Sequence, residues 1–101
     1  MSDIKLVLSK GDLLSYLGID YADDMVNMNL ERAINTADGE LRESVADNYP
    51  VNHPLTKELA LLYAASAYEQ RDLQGNEIKR ADQIALKLRL YLRRNNNESS
   101  I

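Results

Sequence analysis

The sequence predicts an all-α fold, a small single-domain bundle of four helices (short, long, long, medium) with flexible termini. Three observations predict it. Apolar residues recur at steps of three and four over residues 26–45 and again over 55–67, the period of one helix face rather than of a strand. Helix-breaking residues fall between those stretches, at Gly18, from Asn48 to Pro54, and at Gly75. The chain has 101 residues, the ordinary size of one domain, and no linker long enough to divide it. Residues 1–94 are assigned to the helical domain and 95–101 to a disordered polar tail.

Each element follows from local chemistry. Ser9 can cap a short first helix, with Asp12 in the acidic position of a capping box. Leu13, Leu14 and Leu17 give that helix its buried side, and Gly18 ends it. Residues 1–8 form either an extended arm or a frayed end. Asp20 or Asp23 opens the second helix, which runs to about residue 47. Its face comprises Val26, Leu30, Ala33, Ile34, Ala37, Leu41 and Val45, with Met25 and Met28 widening that face at its start. Gly39 inside it is expected to mark either a close helix crossing or a bend, with the crossing preferred because Ala37 lies beside it. The run from Asn48 to Pro54 cannot continue a helix, and Pro54 suits the first turn of the next. The third helix spans about residues 54–72. Its stretch from Ala60 to Ala67 carries no charge, so it is expected to be buried on more than one side, at the centre of the fold.

The last segment is ambiguous. Ile84, Leu86, Leu88, Leu90 and Leu92 alternate with other residues at strand spacing. Leucine and arginine are better helix formers, and no β-branched residue follows Ile84 over this segment, so a helix from Glu77 to Arg93 or Arg94 is preferred. On a helix, residues two apart point about 200° apart. Ile84, Leu88 and Leu92 then share one side, and Leu86 and Leu90 take the nearly opposite one. Either this helix is wedged between two others, or Leu86 and Leu90 face outward and mark an interaction surface.

Charge divides the chain. Residues 1–72 hold 6 Lys+Arg against 13 Asp+Glu, whereas residues 73–101 hold 6 against 3. An acidic body with a basic end repels nucleic acid over most of its surface and offers complementary poles to other copies. There is no cysteine, hence neither disulfide nor thiolate metal site. The N-terminus lacks the apolar core of a signal peptide, and no window approaches a membrane span, so a chain without membrane contact is expected.

Catalytic chemistry is missing from the pattern. His53 is the lone histidine, without a second ligand for a metal or a nucleophile to activate. Asp20, Asp23 and Asp24 do not make a calcium loop, because Met25 stands where an EF-hand needs glycine. The glycines form no phosphate loop. The expectation is a non-enzyme with no cofactor. The short helix ending Tyr16-Leu17-Gly18 before a turn also resembles the opening of a helix-turn-helix regulator. The helix that would read DNA, however, begins Asp23-Asp24, and phosphate contact requires the opposite sign.

Leu13, Tyr16-Leu17 and Ile19-Asp20 close the first helix, Asp23-Asp24 opens the second, and Ala33 and Ala37 follow. Tyr68-Glu69-Gln70-Arg71-Asp72 then closes the third. In this order, over about residues 9–94, the chain resembles the small head–tail connector proteins of tailed bacteriophages, also called head-completion or DNA-packaging adaptor proteins. It departs from them at Gly18, where the family often has a basic residue, and at Gln70, where asparagine is common. The resemblance implies a helical ring subunit beneath the portal protein, in the virion at the head–tail junction and in host cytoplasm during assembly. Its partners would be further copies of itself, the portal, and a downstream connector or tail protein, with DNA passing through the ring without specific binding. Tyr68 and Arg71 carry over as motif positions with an expected structural role at the end of the third helix. The surface pattern itself nominates Leu86, Arg89, Leu90, Arg93 and Arg94 as the subunit or portal interface.

Overall fold

A computed structural model describes residues 8–99, with side chains described through residue 95. Four helices account for most of it: α1 (Lys10–Leu17), α2 (Asp24–Ser44), α3 (Pro54–Glu69) and α4 (Gly75–Ser99). The segment 84–92 is helical throughout, and no strand occurs among the described residues. Most of the N-terminal arm lies outside the described residues, although Leu8 is buried in the core.

The helix starts follow the capping chemistry. The Ser9 hydroxyl accepts a hydrogen bond from the Asp12 amide, and the Asp12 carboxylate accepts one from the Ser9 amide, both at 3.1 Å. Gly18 then adopts a left-handed conformation, φ 74°, and ends α1. Asp23 caps α2 by accepting from the Val26 amide at 2.9 Å. At α3 the His53 Nδ1 accepts from the Leu55 amide at 3.1 Å, one residue before Pro54 in the first turn.

Several boundaries differ from the expected ones. α2 stops at Ser44, with Val45 as its C-cap, its amide donating to the Leu41 carbonyl before the chain turns. Tyr49 is buried there, and its hydroxyl donates to Asp38 Oδ1 at 2.5 Å. The same carboxylate accepts from Arg42 Nε at 3.0 Å. Burial, reinforced by the Asp38 carboxylate, holds the Tyr49 hydroxyl in its neutral form well above the usual pH. α3 ends at Glu69 rather than 72, because Gln70 takes a left-handed conformation, φ 54°. The Gln70 and Arg71 amides then bond back to the carbonyls of Ala67 and Ser66. α4 is longer than expected, starting at Gly75 and continuing through Ser99. Residues 95–99, expected to be a disordered tail, therefore have a helical backbone. They contain neither proline nor glycine, so nothing in them forces the helix to stop.

α3 is the centre, as its uncharged sequence implies. It packs against α1, α2 and α4, whereas α4 makes no comparable contact with α1 or α2. Its buried residues Thr56, Leu59, Ala60, Leu62, Ala64 and Ala65 face in several directions. Of these, Leu59, Ala60, Leu62 and Ala64 meet Leu30, Ala33, Ile34, Ala37 and Leu41 of α2 and Ala81, Ile84, Ala85 and Leu88 of α4 in one core. Polar clamps border it. Arg80 Nε and Nη2 grip Glu58 at 2.6 and 2.8 Å, tying α4 to α3. Lys57 Nζ lies 3.3 Å from Asp12 Oδ1, tying α3 to α1.

Two expectations about α2 fail. Met25 and Met28 do not widen the buried face but are 70 % and 68 % exposed. Counting at about 100° per residue from Leu30 places both on the far side of the helix. Gly39 is also on that side, exposed, with open space around its Cα rather than a close helix crossing.

Candidate interaction surface

The outer face of α4 is the site nominated by its sequence pattern. Ala81, Ile84, Ala85 and Leu88 are buried on the side facing α3. Leu86 and Leu90 are 51 % and 48 % exposed, since a turn of about 200° separates each from the core leucines two residues away. The helix is therefore not wedged between two others. Arg89, Arg93 and Arg94 are exposed and border these two leucines, together with Lys79 and Lys87. Asp82 is the acidic residue on the same exposed stretch. Neither Arg93 nor Arg94 forms an ion pair among the described residues. The result is a short apolar stripe in a basic frame.

Arg71 is not in the last turn of α3 but just beyond it, where it bridges α3 and α4. Its Nη1 and Nη2 contact the two oxygens of Glu77 at 2.9 and 3.2 Å, and its Nε contacts Glu69 at 2.7 Å. Glu77 also accepts from the Gln74 amide at 2.8 Å, so one carboxylate caps α4 and holds α3 to it. Hydrogen bonds from Arg71 and from the Gln74 amide hold Glu77 below the usual carboxylate range. The Ser66 hydroxyl closes the corner by donating to the Arg71 carbonyl. Tyr68 is half-buried against the core nearby. Both motif residues thus sit at the α3–α4 corner.

Beside that corner is an open groove of about 710 Å³, lined by residues that include Thr36, Glu40, Tyr63, Ser66, Arg71 and Ile78. Its one guanidinium is engaged by Glu77 and Glu69, and it contains no histidine or cysteine. His53 is occupied as a helix cap and packs edge-on against Tyr91, with ring centres 4.7 Å apart. No group of three or more metal-ligating side chains occurs among the described residues. No described helix is long and apolar enough to cross a membrane.

A second exposed apolar group escaped the sequence reading. Tyr21, Met25 and Met28 are 75 %, 70 % and 68 % exposed where the chain enters α2. The signal was available in the angular positions of the methionines, which oppose Leu30 and Ala33. Residue type alone does not show it, because an apolar residue near a periodic face can lie on the opposite side of the helix. Compared with known proteins, the chain matches no family model, no curated protein and no solved structure at a significant level.

Proposed function

We propose that the chain is a structural subunit of a phage or prophage head–tail connector, which self-associates into a ring, docks on the portal and extends the DNA channel toward the tail. The observation that carries this reading is the Leu86–Leu90 stripe with Arg89, Arg93 and Arg94 around it, uncovered on the outer face of α4. A contiguous apolar strip framed by exposed charge suits docking on another protein. The order of motifs from Leu13 to Asp72 supplies the family, and the four-helix architecture fits it. Arg71 and Tyr68 act within this reading as positioning residues, setting the angle at which α4 leaves α3. In the particle, the protein belongs at the head–tail junction and works without cofactor or catalysis.

The helix-turn-helix alternative has little support, since the exposed start of α2 carries Asp20, Asp23 and Asp24. Reconstitution tests the proposal. Incubated with purified portal rings of the phage or prophage that encodes it, the chain adds a ring of density on one portal face in electron micrographs. Failure to bind portal at any concentration, together with tight DNA binding that falls steeply with salt, overturns the connector in favour of the regulator.

A further inference from the structure

Two exposed apolar groups, on helices that do not pack against each other, carry frames of opposite charge. At the start of α2, Tyr21, Met25 and Met28 stand among Asp20, Asp23 and Asp24, with Arg32 the basic residue on the same exposed side. On α4, Leu86 and Leu90 stand among Lys79, Lys87, Arg89, Arg93 and Arg94, with Asp82 the acidic one. We infer that these are the two halves of one contact, in which the outer face of α4 of one copy docks on the Tyr21–Met25–Met28 surface of the next.

Intramolecular closure cannot satisfy them. The inner face of α4 is held on α3 by Ile84, Leu88 and the Arg80–Glu58 clamp, so its outer face points away from the rest of its own chain. Neither Asp20 nor Asp24 forms an ion pair among the described residues, and the same holds for Arg93 and Arg94. Charges left unpaired around apolar residues are available to an oppositely charged partner, and they steer its approach. Tyrosine, methionine and arginine are also the residue types enriched at protein interfaces. Methionine adapts its shape to an opposing surface. A second copy is the occupant that the charges select, because a two-fold contact of α4 with α4 would set arginine against arginine. A contact between different surfaces is head-to-tail, and it closes into a ring when the rotation between copies permits. The inference rests on the self-associating connector reading and adds which surfaces meet.

Charge exchange tests it, in the full chain and in the presence of portal rings. Asp20→Arg with Asp24→Arg, or Arg93→Glu with Arg94→Glu, is expected to weaken subunit–subunit association about tenfold or more. The chain carrying all four substitutions recovers most of that loss, because each reversed surface again meets its complement. All four positions are exposed, and circular dichroism checks that each variant remains folded. A second measurement uses the absence of native cysteine. Met28→Cys copies mixed with Leu90→Cys copies are joined by a short bis-maleimide, whereas neither population cross-links alone. Assembly of the unaltered chain on portal rings without mutual rescue, or cross-linking of Leu90→Cys copies to one another, overturns the paired surfaces but leaves the connector standing. Absence of any assembly by the unaltered chain overturns both.

Discussion

Leu88 and Leu90 sit two residues apart on α4, and the fold demands that they respond very differently to truncation. Leu88 is 0 % exposed and Leu90 is 48 % exposed. Leu88→Ala removes three buried carbons, about 2.4 kcal/mol of transfer free energy at about 0.8 kcal/mol each. The unfilled cavity raises the cost to about 3 kcal/mol or more. Leu90→Ala loses about half the transfer term, leaves no cavity because water fills the space, and gains slightly in helix propensity. Its cost is about 0.5–1 kcal/mol. Domains of this size are stable by about 5–10 kcal/mol, so the first change removes a large part of the total and the second little. Urea unfolding followed by far-UV circular dichroism, at dilution low enough to suppress association, measures both. With an m-value of about 1–1.5 kcal/mol/M, the midpoints separate by about 2 M. Equal large losses would mean that both leucines share one buried side, as on a strand or a helix covered twice. Equal small losses would mean that α4 does not pack through Ile84 and Leu88 at all. Either result refutes the assignment of faces on which the interaction surface depends.

Other perturbations probe the remaining parts of the fold. Gly39→Ala is expected to stabilise by about 0.5–1 kcal/mol, because the site is helical and open, and alanine restricts the unfolded chain. A rise in thermal midpoint checks it. Thr56 is fully buried, and its hydroxyl finds no hydrogen-bond partner among the described residues. Thr56→Val is therefore expected to raise the urea midpoint, by about 1 kcal/mol of stability. Acid acts through Glu58, lowered by Arg80, and Glu77, lowered by Arg71 and the Gln74 amide. Both carboxylates hold protons less tightly folded than unfolded, so their stabilisation is complete above the ordinary value of 4.5 and fades as pH falls through the lower folded values. The urea midpoint declines below that point, and Glu58→Gln makes the decline shallower.

The helical class, the central position of α3, the cap at Ser9 and Pro54 in the first turn of α3 could be read from the chain, because each is set by local pattern, while the start of α2 was narrowed to Asp20 or Asp23. The two-sided leucine pattern of α4 could be read too, once its residues were placed on a helix. The end of α3 could not. It depends on Gln70 adopting a left-handed conformation that glutamine does not favour. That conformation is sustained by the Ser66–Arg71 bond and by Arg71 reaching Glu77 across the corner. The extension of α4 beyond Arg94 was hidden because a polar run reads as a tail by composition alone. Met25 and Met28 match the buried face of α2 in residue type but oppose it in angle, which puts them on the exposed surface that forms one half of the proposed contact.

The shape of the molecule explains why such surfaces exist at all. Its extents are 51 × 34 × 19 Å, and helix layers lie about 8–10 Å apart, so the bundle is about two layers thick. In so thin a body only α3 can be enclosed on several sides, and each outer helix must turn one face outward. A sequence selected for folding alone would make those faces polar, as most of the outer side of α2 is beyond Met28. Single exposed apolar residues are ordinary on any protein surface. What is not ordinary is that the exposed leucines of α4 gather arginines, and the exposed methionines of α2 gather aspartates, that form no ion pair among the described residues. Neither arrangement contributes to the core of the chain that carries it. Both become favourable when a neighbouring copy brings the two frames together, and folding and assembly then draw on opposite faces of the same helices.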